Sequence, residues 1–131
     1  MIVLDTQAWL WLAADEQKLS KKAASAISRA DRSSGLGLPA IAVWEAVWLH
    51  RRRRLSTTLP LRDWLARLFG LTSVQVLPLT PEICALAAEL PSTMSSDPCD
   101  RLIAATALHH GSPLVTADEK IRASGCVQTI W

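Results

Sequence analysis

Chemistry in this chain would depend on carboxylates, and Glu45 has the most informative surroundings. It is the only charged residue between Leu36 and Leu49, in the run LGLPAIAVWEAVWL. Burying an ionised carboxylate without a partner costs several kcal/mol, so such a group is normally paired with a cation or bound to a metal ion. Glu45 is therefore a candidate metal ligand. Pairing with an arginine, or exposure on a polar strip of its helix, is the alternative.

Two aspartates each follow a short apolar run. Asp5 comes directly after Ile2–Leu4, and Asp118 follows Leu114–Val115 after two further residues. Each also has an ordinary structural role open to it. Asp5 could cap the next helix, because Asp is a favoured N-cap residue, and Asp118 could form an Asx turn. Because each aspartate follows a predicted strand, Asp5 and Asp118 are both candidate metal ligands, and the structural roles stay open beside this one.

A third pair of acids lies in the sequence Asp97-Pro98-Cys99-Asp100. Asp97 is well placed as an N-cap, with Pro98 at the first helical position and Asp100 in the first turn, where the helix dipole favours negative charge. Capping alone would explain both acids. Asp100, however, opens an apolar run that should pack on the sheet, so the capping role fits Asp97 better and the ligand role fits Asp100 better.

Together these five acids indicate a site for a hard cation. Carboxylates in one pocket repel each other and raise each other's pKa, and a cation with oxygen ligands relieves that repulsion. Mg²⁺ or Mn²⁺ suits such ligands, whereas zinc prefers histidine or cysteine. No CxxC pair is present, so we expect neither a structural zinc site nor disulfides. The three histidines are expected at the surface near helix ends: His50, His109 and His110.

Short apolar runs alternate with helical patterns along the chain. This alternation predicts an α/β protein: a three-layer α/β/α sandwich around a mostly parallel sheet of about five short strands. Strands are predicted at 2–4, 36–38, 74–77, 114–116 and 127–130. Helices are predicted at 6–14, 20–32, 40–54, 60–69, 80–89 and from 97 to Gly111.

The predicted fold brings two of the acids together. In open α/β sheets, ligands bind beyond the carboxyl ends of the strands, where the strand order reverses. Asp5 and Asp118 both follow predicted strands, and the first turns of two predicted helices could add Glu45 and Asp100. We therefore expect one acidic pocket at that edge of the sheet.

Composition restricts the class of protein. The chain has 131 residues, half of them hydrophobic and a fifth charged, which predicts one folded domain over residues 1–131. There is no uncharged apolar run of membrane-spanning length and no basic start typical of a secretory signal, so we expect a cytoplasmic protein without a membrane partner. With 14 Lys and Arg against 12 Asp and Glu, the chain outside the five acids is clearly basic. A basic body around an acidic pocket suits a nucleic-acid substrate and a divalent metal.

Three segments resemble the PIN-domain ribonucleases, and most of all the VapC toxins of bacterial toxin–antitoxin systems. They are MIVLDTQAWLWL, AIAVWEAVWLHRRRRL and DPCDRLIAATALHHGSPLVTADEKI. Their order and spacing also suit the family, so the resemblance covers nearly the whole chain.

The resemblance implies a Mg²⁺-dependent endoribonuclease, with Mn²⁺ as a possible substitute, that hydrolyses RNA phosphodiester bonds with a metal-bound water. It implies a homodimer and a cognate antitoxin as partners. By the same resemblance, the catalytic and metal-binding residues are Asp5, Glu45, Asp100 and Asp118, with Asp97 as an accessory acid. Our hypothesis is that Asp5, Asp100 and Asp118 hold the principal ion, while Glu45 binds a second ion or positions the water. Thr6 and Thr116 add hydroxyls that could hold a carboxylate or a water.

The chain departs from the family pattern at two positions. Gln7 stands where this subgroup often has His, and Ala42 stands where it often has Ser. Neither position is a core metal ligand, so these changes put finer details in doubt rather than the metal site.

Several basic and aromatic residues have two open interpretations. The run Arg51, Arg52, Arg53 and Arg54 could contact RNA phosphates or an acidic antitoxin, or could simply favour a helix C-terminus. Arg101 could steer phosphate or pair with an acid. Most of the tryptophans on the apolar helices, including Trp44 and Trp48, are expected in the core or a dimer contact rather than in base stacking.

Besides DNA in place of RNA as the substrate, two alternatives to a ribonuclease stay open. One is another α/β metal-dependent phosphohydrolase, although a haloacid-dehalogenase-type enzyme needs a second aspartate where Gln7 stands. The other is a catalytically weak or inactive domain that binds RNA or an antitoxin without cutting.

Overall fold

The computed structural model describes residues Met1–Trp131, which form a five-stranded, all-parallel sheet with seven α-helices. The strands are β1 (Ile2–Leu4), β2 (Leu36–Pro39), β3 (Val74–Leu77), β4 (Leu114–Val115) and β5 (Thr129–Ile130). The helices are α1 (Thr6–Ala14), α2 (Lys21–Asp31), α3 (Ala40–Arg51), α4 (Leu61–Leu71), α5 (Pro81–Glu89), α6 (Pro98–His109) and α7 (Glu119–Ser124). A short 3₁₀ helix spans Glu16–Lys18.

The central strands are covered on both faces, which confirms the α/β sandwich. Val3 and Leu4 are consecutive residues of β1, so their side chains point to opposite faces, and both are fully buried. Leu114 and Val115 of β4 are buried in the same way. Apolar runs without alternation are typical of parallel strands between two helical layers.

The strand order β3-β2-β1-β4-β5 places the reversal of direction between β1 and β4. The chain proceeds outward from β1 through β2 to β3, then crosses back to β4 on the other side of β1 and continues to β5. Val3 pairs with Leu114 and Leu4 with Val115, so these two strands end side by side. The residues that follow them therefore share one edge of the sheet.

Local capping signals place the helix ends as predicted. The Ser20 hydroxyl accepts from the Ala23 amide at the start of α2, and Thr80 does the same for Ile83 at the start of α5. At the end of α6, Gly111 has a φ of 58°, in the left-handed region that favours glycine.

Helix α3 is shorter than the predicted 40–54 because the chain turns at Arg53. This residue has a φ of 54°, and the amides of Arg53 and Arg54 donate to the carbonyls of His50 and Leu49. These two bonds form a Schellman C-cap. The last three arginines of the basic run therefore lie beyond the helix.

Two further differences concern the end of the chain and the edge of the sheet. Helix α7 is absent from the helices predicted above; Asp118 is its N-cap, and Gly125, with a φ of 66°, is its C-cap. Strand β3 is at the edge of the sheet, where Gln75 and Val76 are exposed. That strand is therefore less completely covered than a buried parallel strand.

No helix in the structure has both the length and the apolar character that crossing a membrane requires.

Candidate active site

Asp5 directly follows β1, within electrostatic reach of Asp118 and Asp100. It is 7 % exposed, and one oxygen accepts a 2.7 Å hydrogen bond from the Ala8 amide, which caps α1. The capping role considered from the sequence is therefore real. A carboxylate has two oxygens, each with two lone pairs, so the cap leaves capacity for a metal ion.

Glu45 reaches the same pocket from α3. The Thr6 hydroxyl donates a 2.5 Å hydrogen bond to Oε1 of Glu45, and the side chain forms no ion pair with an arginine. This contact joins the first turn of α1 to the middle of α3, across 39 residues of sequence. Thr6 therefore orients the acid, as the hydroxyl role predicted for it requires.

Asp97 and Asp100 begin α6 at the edge of the pocket. Asp97 accepts from the Asp100 amide at 3.0 Å, as an N-cap does. The buried Ser95 hydroxyl donates to Oδ2 of Asp100 at 2.8 Å. Asp97 is thus the capping residue of the pair, and the hydrogen bond from Ser95 orients the carboxylate of Asp100.

Asp118 lies in the loop that follows β4. It caps α7 by accepting from the Ile121 amide at 2.8 Å, and its own amide donates to the Thr116 hydroxyl at 3.0 Å. Thr116 is fully buried. Asp5, Asp97 and Asp118 each cap a helix, so three positive helix ends meet the acidic pocket and favour ionised carboxylates there.

The electrostatics show that these acids share one environment. Burial, reinforced by the charges of Asp118 and Asp100, raises the pKa of Asp5 from 3.8 to about 6, although hydrogen bonds from Thr116 and the Ala8 amide oppose the rise. Burial also raises the pKa of Glu45 against the Thr6 hydrogen bond, with further contributions from Asp100, Asp97 and Asp5. A cation in this pocket would relieve the repulsion.

The pKa of Asp100 is raised for the same reasons, although one cationic side chain opposes the rise. Its pKa is raised mainly by burial, and the charges of Asp97 and Asp118 add to the rise. The Ser95 hydrogen bond and the charge of Lys120 act in the opposite direction. Lys120 forms no ion pair with the pocket, since the structure contains a single ion pair, between Lys18 and Asp15.

The donor atoms suit a hard metal ion. Ligand atoms of Glu45, Asp97 and Cys99 lie within 4.8 Å of one another. Burial and the neighbouring carboxylates raise the pKa of the Cys99 thiol to about 11. A thiol is a soft donor that hard cations do not favour, so the carboxylate oxygens are the candidate donors for such an ion. Such a set fits Mg²⁺ or Mn²⁺ better than zinc.

The structure brings the predicted acids together to different degrees. Asp5, Asp100 and Asp118 influence one another electrostatically, but the tightest group of possible ligand atoms involves Glu45 and Asp97 instead. The assignment of Asp5, Asp100 and Asp118 to the principal ion therefore stays a prediction.

Arg101 does not pair with an acid, which was one of the two roles left open for it, and its role in steering phosphate stays a prediction. Its guanidinium donates to the carbonyls of Ala87, at 2.9 Å, Ser95, at 3.3 Å, and Leu90, and it forms no ion pair with an acid. The side chain therefore connects the end of α5 and the following loop to α6. It has a structural role here, since planar guanidinium groups suit several fixed acceptors at once.

The remaining predicted residues lie outside the pocket or support it only at a distance. Arg51, Arg52, Arg53 and Arg54 are exposed. Gln7 is exposed on α1, and Ala42 is fully buried in α3. His109 and His110 are exposed, as expected.

Sequence reasoning missed Ser95 as a partner of the acids and underestimated Cys99. Ser95 lies five residues before Asp100, and no short-range pattern marks that distance. Cys99 lies between two acids in sequence, but only the approach of α3 brings its sulfur near Glu45.

Comparison with known proteins agrees with this geometry. The PIN-domain family model matches residues 2–125. The chain is 38 % identical over 122 residues to Ribonuclease VapC22 of Mycobacterium tuberculosis, which covers 93 % of this chain and 90 % of that protein.

Solved structures show the same fold at lower identity. VapBC2 from Rickettsia felis, bound to a DNA fragment from its promoter, matches with a TM-score of 0.74 and 14 % identity over 98 % of this chain and 97 % of the other. VapC20 of Mycobacterium tuberculosis, a toxin that cleaves the sarcin–ricin loop, matches with a TM-score of 0.66 and 19 % identity over 95 % of both chains. Taken with the family match, the acidic edge between β1 and β4 shows that the chain belongs to the PIN-domain family.

Proposed function

We propose that this protein is a metal-dependent endoribonuclease, with Mg²⁺ as its ion and Mn²⁺ as a substitute. The observation that carries the proposal is the meeting of Asp5, Glu45, Asp100 and Asp118 at one edge of the sheet, where burial and mutual repulsion raise the pKa of three of them. Repelling carboxylates around an oxygen-rich pocket are what a divalent cation stabilises.

The residues around the pocket would have different roles in binding such an ion. Asp5, Asp100 and Asp118 would ligate it, while Glu45 would bind a second ion or orient a water. When bound, the metal supplies charge neutralisation at the phosphodiester and activation of a water for attack. Thr6 holds Glu45 and Ser95 holds Asp100, so both acids keep their orientation before substrate arrives.

The proposal of RNA as substrate rests on relatives and on charge. The curated relative is named a ribonuclease. Of the four exposed arginines, Arg51 ends the helix that carries Glu45, and Arg52, Arg53 and Arg54 follow directly after it. None of these arginines forms an ion pair within the chain. They are therefore available to phosphate groups, which attract free cations over several ångströms.

We also propose that the protein is the toxin of a toxin–antitoxin pair, with a cognate antitoxin as partner and a homodimer as its assembled form. Support comes from structural neighbours described as VapBC complexes and as a toxin–antitoxin complex from Klebsiella pneumoniae. Light scattering of the purified chain tests the homodimer, and a monomeric mass at micromolar concentration would count against it.

The central test is a cleavage assay on mixed structured RNA with Mg²⁺, Mn²⁺ or EDTA. Asp100→Asn is the informative variant, and Asp63→Asn is its matched control, because Asp63 is the third residue of α4 just as Asp100 is of α6. Replacing groups that merely orient metal ligands typically costs 10–100-fold in affinity or activity, so losing a ligand should cost at least about 100-fold.

We expect cleavage with either metal, none in EDTA, a loss in Asp100→Asn and normal cleavage by Asp63→Asn. Cleavage that survives EDTA would overturn the metal-dependent mechanism. RNA binding without cleavage under every metal would favour the alternative of an inactive RNA-binding domain.

A further inference from the structure

Helix α3 carries an exposed aromatic pair that packing of this chain does not use. The rings of Trp44 and Trp48 stack with centroids 5.7 Å apart and planes 25° apart, yet the residues are 54 % and 44 % exposed. The guanidinium carbon of Arg52 lies 5.1 Å from the centroid of the Trp48 ring. We name these three residues the α3 ladder.

The ladder occupies one face of the helix because its members are four residues apart. A different face of α3 packs into the protein, where Ala42 and Ala46 are fully buried. Leaving tryptophan side chains in water costs free energy. Single exposed apolar residues are nevertheless common and need no explanation, whereas a stacked pair continued by an arginine forms a larger exposed patch, which is typical of a binding surface.

The ladder lies on the same helix as Glu45. Glu45 directly follows Trp44, and Trp48 lies three positions after Glu45, a spacing at which helical side chains are neighbours. At its other end the ladder runs into the exposed arginines that follow α3. A nucleic-acid strand with a phosphodiester at the acids would therefore have the ladder next to it.

The chemistry of the ladder suits unpaired nucleobases. Single-stranded RNA is recognised by stacking of splayed bases on aromatic rings and on guanidinium planes, whereas bases inside a duplex already stack on each other. Arginines beside the rings supply the accompanying phosphate contacts. Both kinds of group are present here and exposed, with the two rings on α3 and Arg52 directly after its last residue.

We propose that the α3 ladder is a stacking platform for unpaired bases of single-stranded RNA next to the scissile phosphodiester. This inference rests on the proposed ribonuclease function and names the form of substrate it takes. A second protein molecule is the rival occupant of an exposed tryptophan pair. The uncompensated arginines that continue the ladder favour a polyanion over that rival.

The test measures binding of a labelled single-stranded RNA of about 12 nucleotides, within the site sizes of single-strand binders, and of the matching duplex, both in EDTA. The main variant is Trp44→Leu with Trp48→Leu, which keeps apolar surface but removes the aromatic faces. Trp44→Phe with Trp48→Phe restores smaller aromatic faces. Leu71→Ala is the control, because Leu71 is 55 % exposed on α4.

We expect the double leucine variant to bind the single strand at least about tenfold more weakly, since each stacked base is worth about five- to 150-fold in affinity. The phenylalanine variant should recover part of the loss, and duplex binding and the Leu71→Ala variant should match wild type. Arg52→Gln should lower the salt dependence of single-strand binding by about 0.7 in the log–log slope.

Unchanged single-strand affinity in the double leucine variant would overturn the platform. The platform would also be overturned if the double leucine variant had a lower assembly mass in light scattering but unchanged RNA affinity, because the ladder would then be a contact between protein molecules. Cleavage by the same wild-type preparation with Mg²⁺ separates the two proposals. If the wild type cleaves RNA but single-strand binding does not depend on the ladder, only the platform is wrong. If single-strand binding depends on the ladder but the wild type does not cleave, only the proposed nuclease is wrong.

Discussion

Asp5 shows how one carboxylate can cap a helix and still carry a raised pKa. One of its oxygens caps α1, while burial and the charges of Asp118 and Asp100 raise its pKa to about 6. Ionisation of this group therefore opposes folding of the metal-free protein. Natural proteins tolerate such costs in stability above all where a residue serves a function.

Asp5→Asn should stabilise the protein in EDTA while abolishing cleavage. Because the pKa of Asp5 is higher in the folded state than its ordinary value of 3.8, wild-type stability falls as pH rises from about 4 to 6 and stays lower above that. The rise in pKa corresponds to at most about 3 kcal/mol. Asparagine is also a good N-cap, so the cap of α1 is kept.

Urea unfolding in EDTA at pH 4 and pH 7.5 measures this difference. We expect Asp5→Asn to gain stability over wild type at pH 7.5 and to lose most of that advantage at pH 4, while Asp63→Asn shows no such pattern. A variant that is less stable than wild type at pH 7.5 would show that the buried charge is better compensated than we infer.

At the scale of elements, the start of α6 depends on the end of α5. The Arg101 guanidinium binds the carbonyls of Ala87 and Leu90, which α5 leaves without helical partners, and the carbonyl of Ser95. Ser95 in turn donates to Asp100. Arg101 thus positions the loop that holds a pocket acid, without contacting the pocket itself.

Arg101→Met should lower the free energy of unfolding by about 1–3 kcal/mol, because several carbonyls lose a charged donor. Arg101→Lys should recover little, since an ammonium cannot replace the planar fork. Urea unfolding measures both. The salt dependence of RNA binding should not change, and a fall of about 0.7 in its log–log slope would show that Arg101 contacts phosphate after all.

At the scale of the whole molecule, the pocket exists only because separate parts of the chain converge. The ends of β1 and β4, the middle of α3 and the start of α6 each contribute an acid. No single element holds enough ligands for an ion. Metal binding should therefore stabilise the folded protein as a whole, since the unfolded chain has no such site.

Saturating Mg²⁺ or Mn²⁺ should raise the Tm of wild type at pH 7.5 by several degrees. An ion at 100 times its Kd contributes about 2.7 kcal/mol, and a chain of this size gains roughly 4 °C per kcal/mol. The increase should shrink below about pH 6, because protons compete for the carboxylates. Differential scanning fluorimetry measures the shift.

Asp118→Asn should lose this metal-induced shift, and Asp63→Asn should keep it. An equal shift in both variants would mean that the ion stabilises the protein from somewhere other than the acidic pocket.

Much of the fold and of the site is encoded in local sequence. Apolar runs such as Ile2–Leu4 predict buried parallel strands, and caps such as Ser20 and Thr80 predict where helices begin, because both depend on neighbours a few residues apart. Asp118 and Gly125 would also have predicted α7 by this rule. The acids after β1 and β4 are predictable for a further reason, which is that parallel strands end at a common edge.

The remaining features depended on contacts between residues far apart in sequence. Arg101 lies beside two acids in the chain but binds carbonyls up to 14 residues away. Arg53 adopts a conformation that favours glycine, so no residue type marks the end of α3. By itself the sequence determined the strands, most helix starts and which acids follow strands or begin helices. Only the tertiary structure decided which side chains hold those acids and which tryptophans stay exposed, because burial and hydrogen-bond partners follow from how the helices pack.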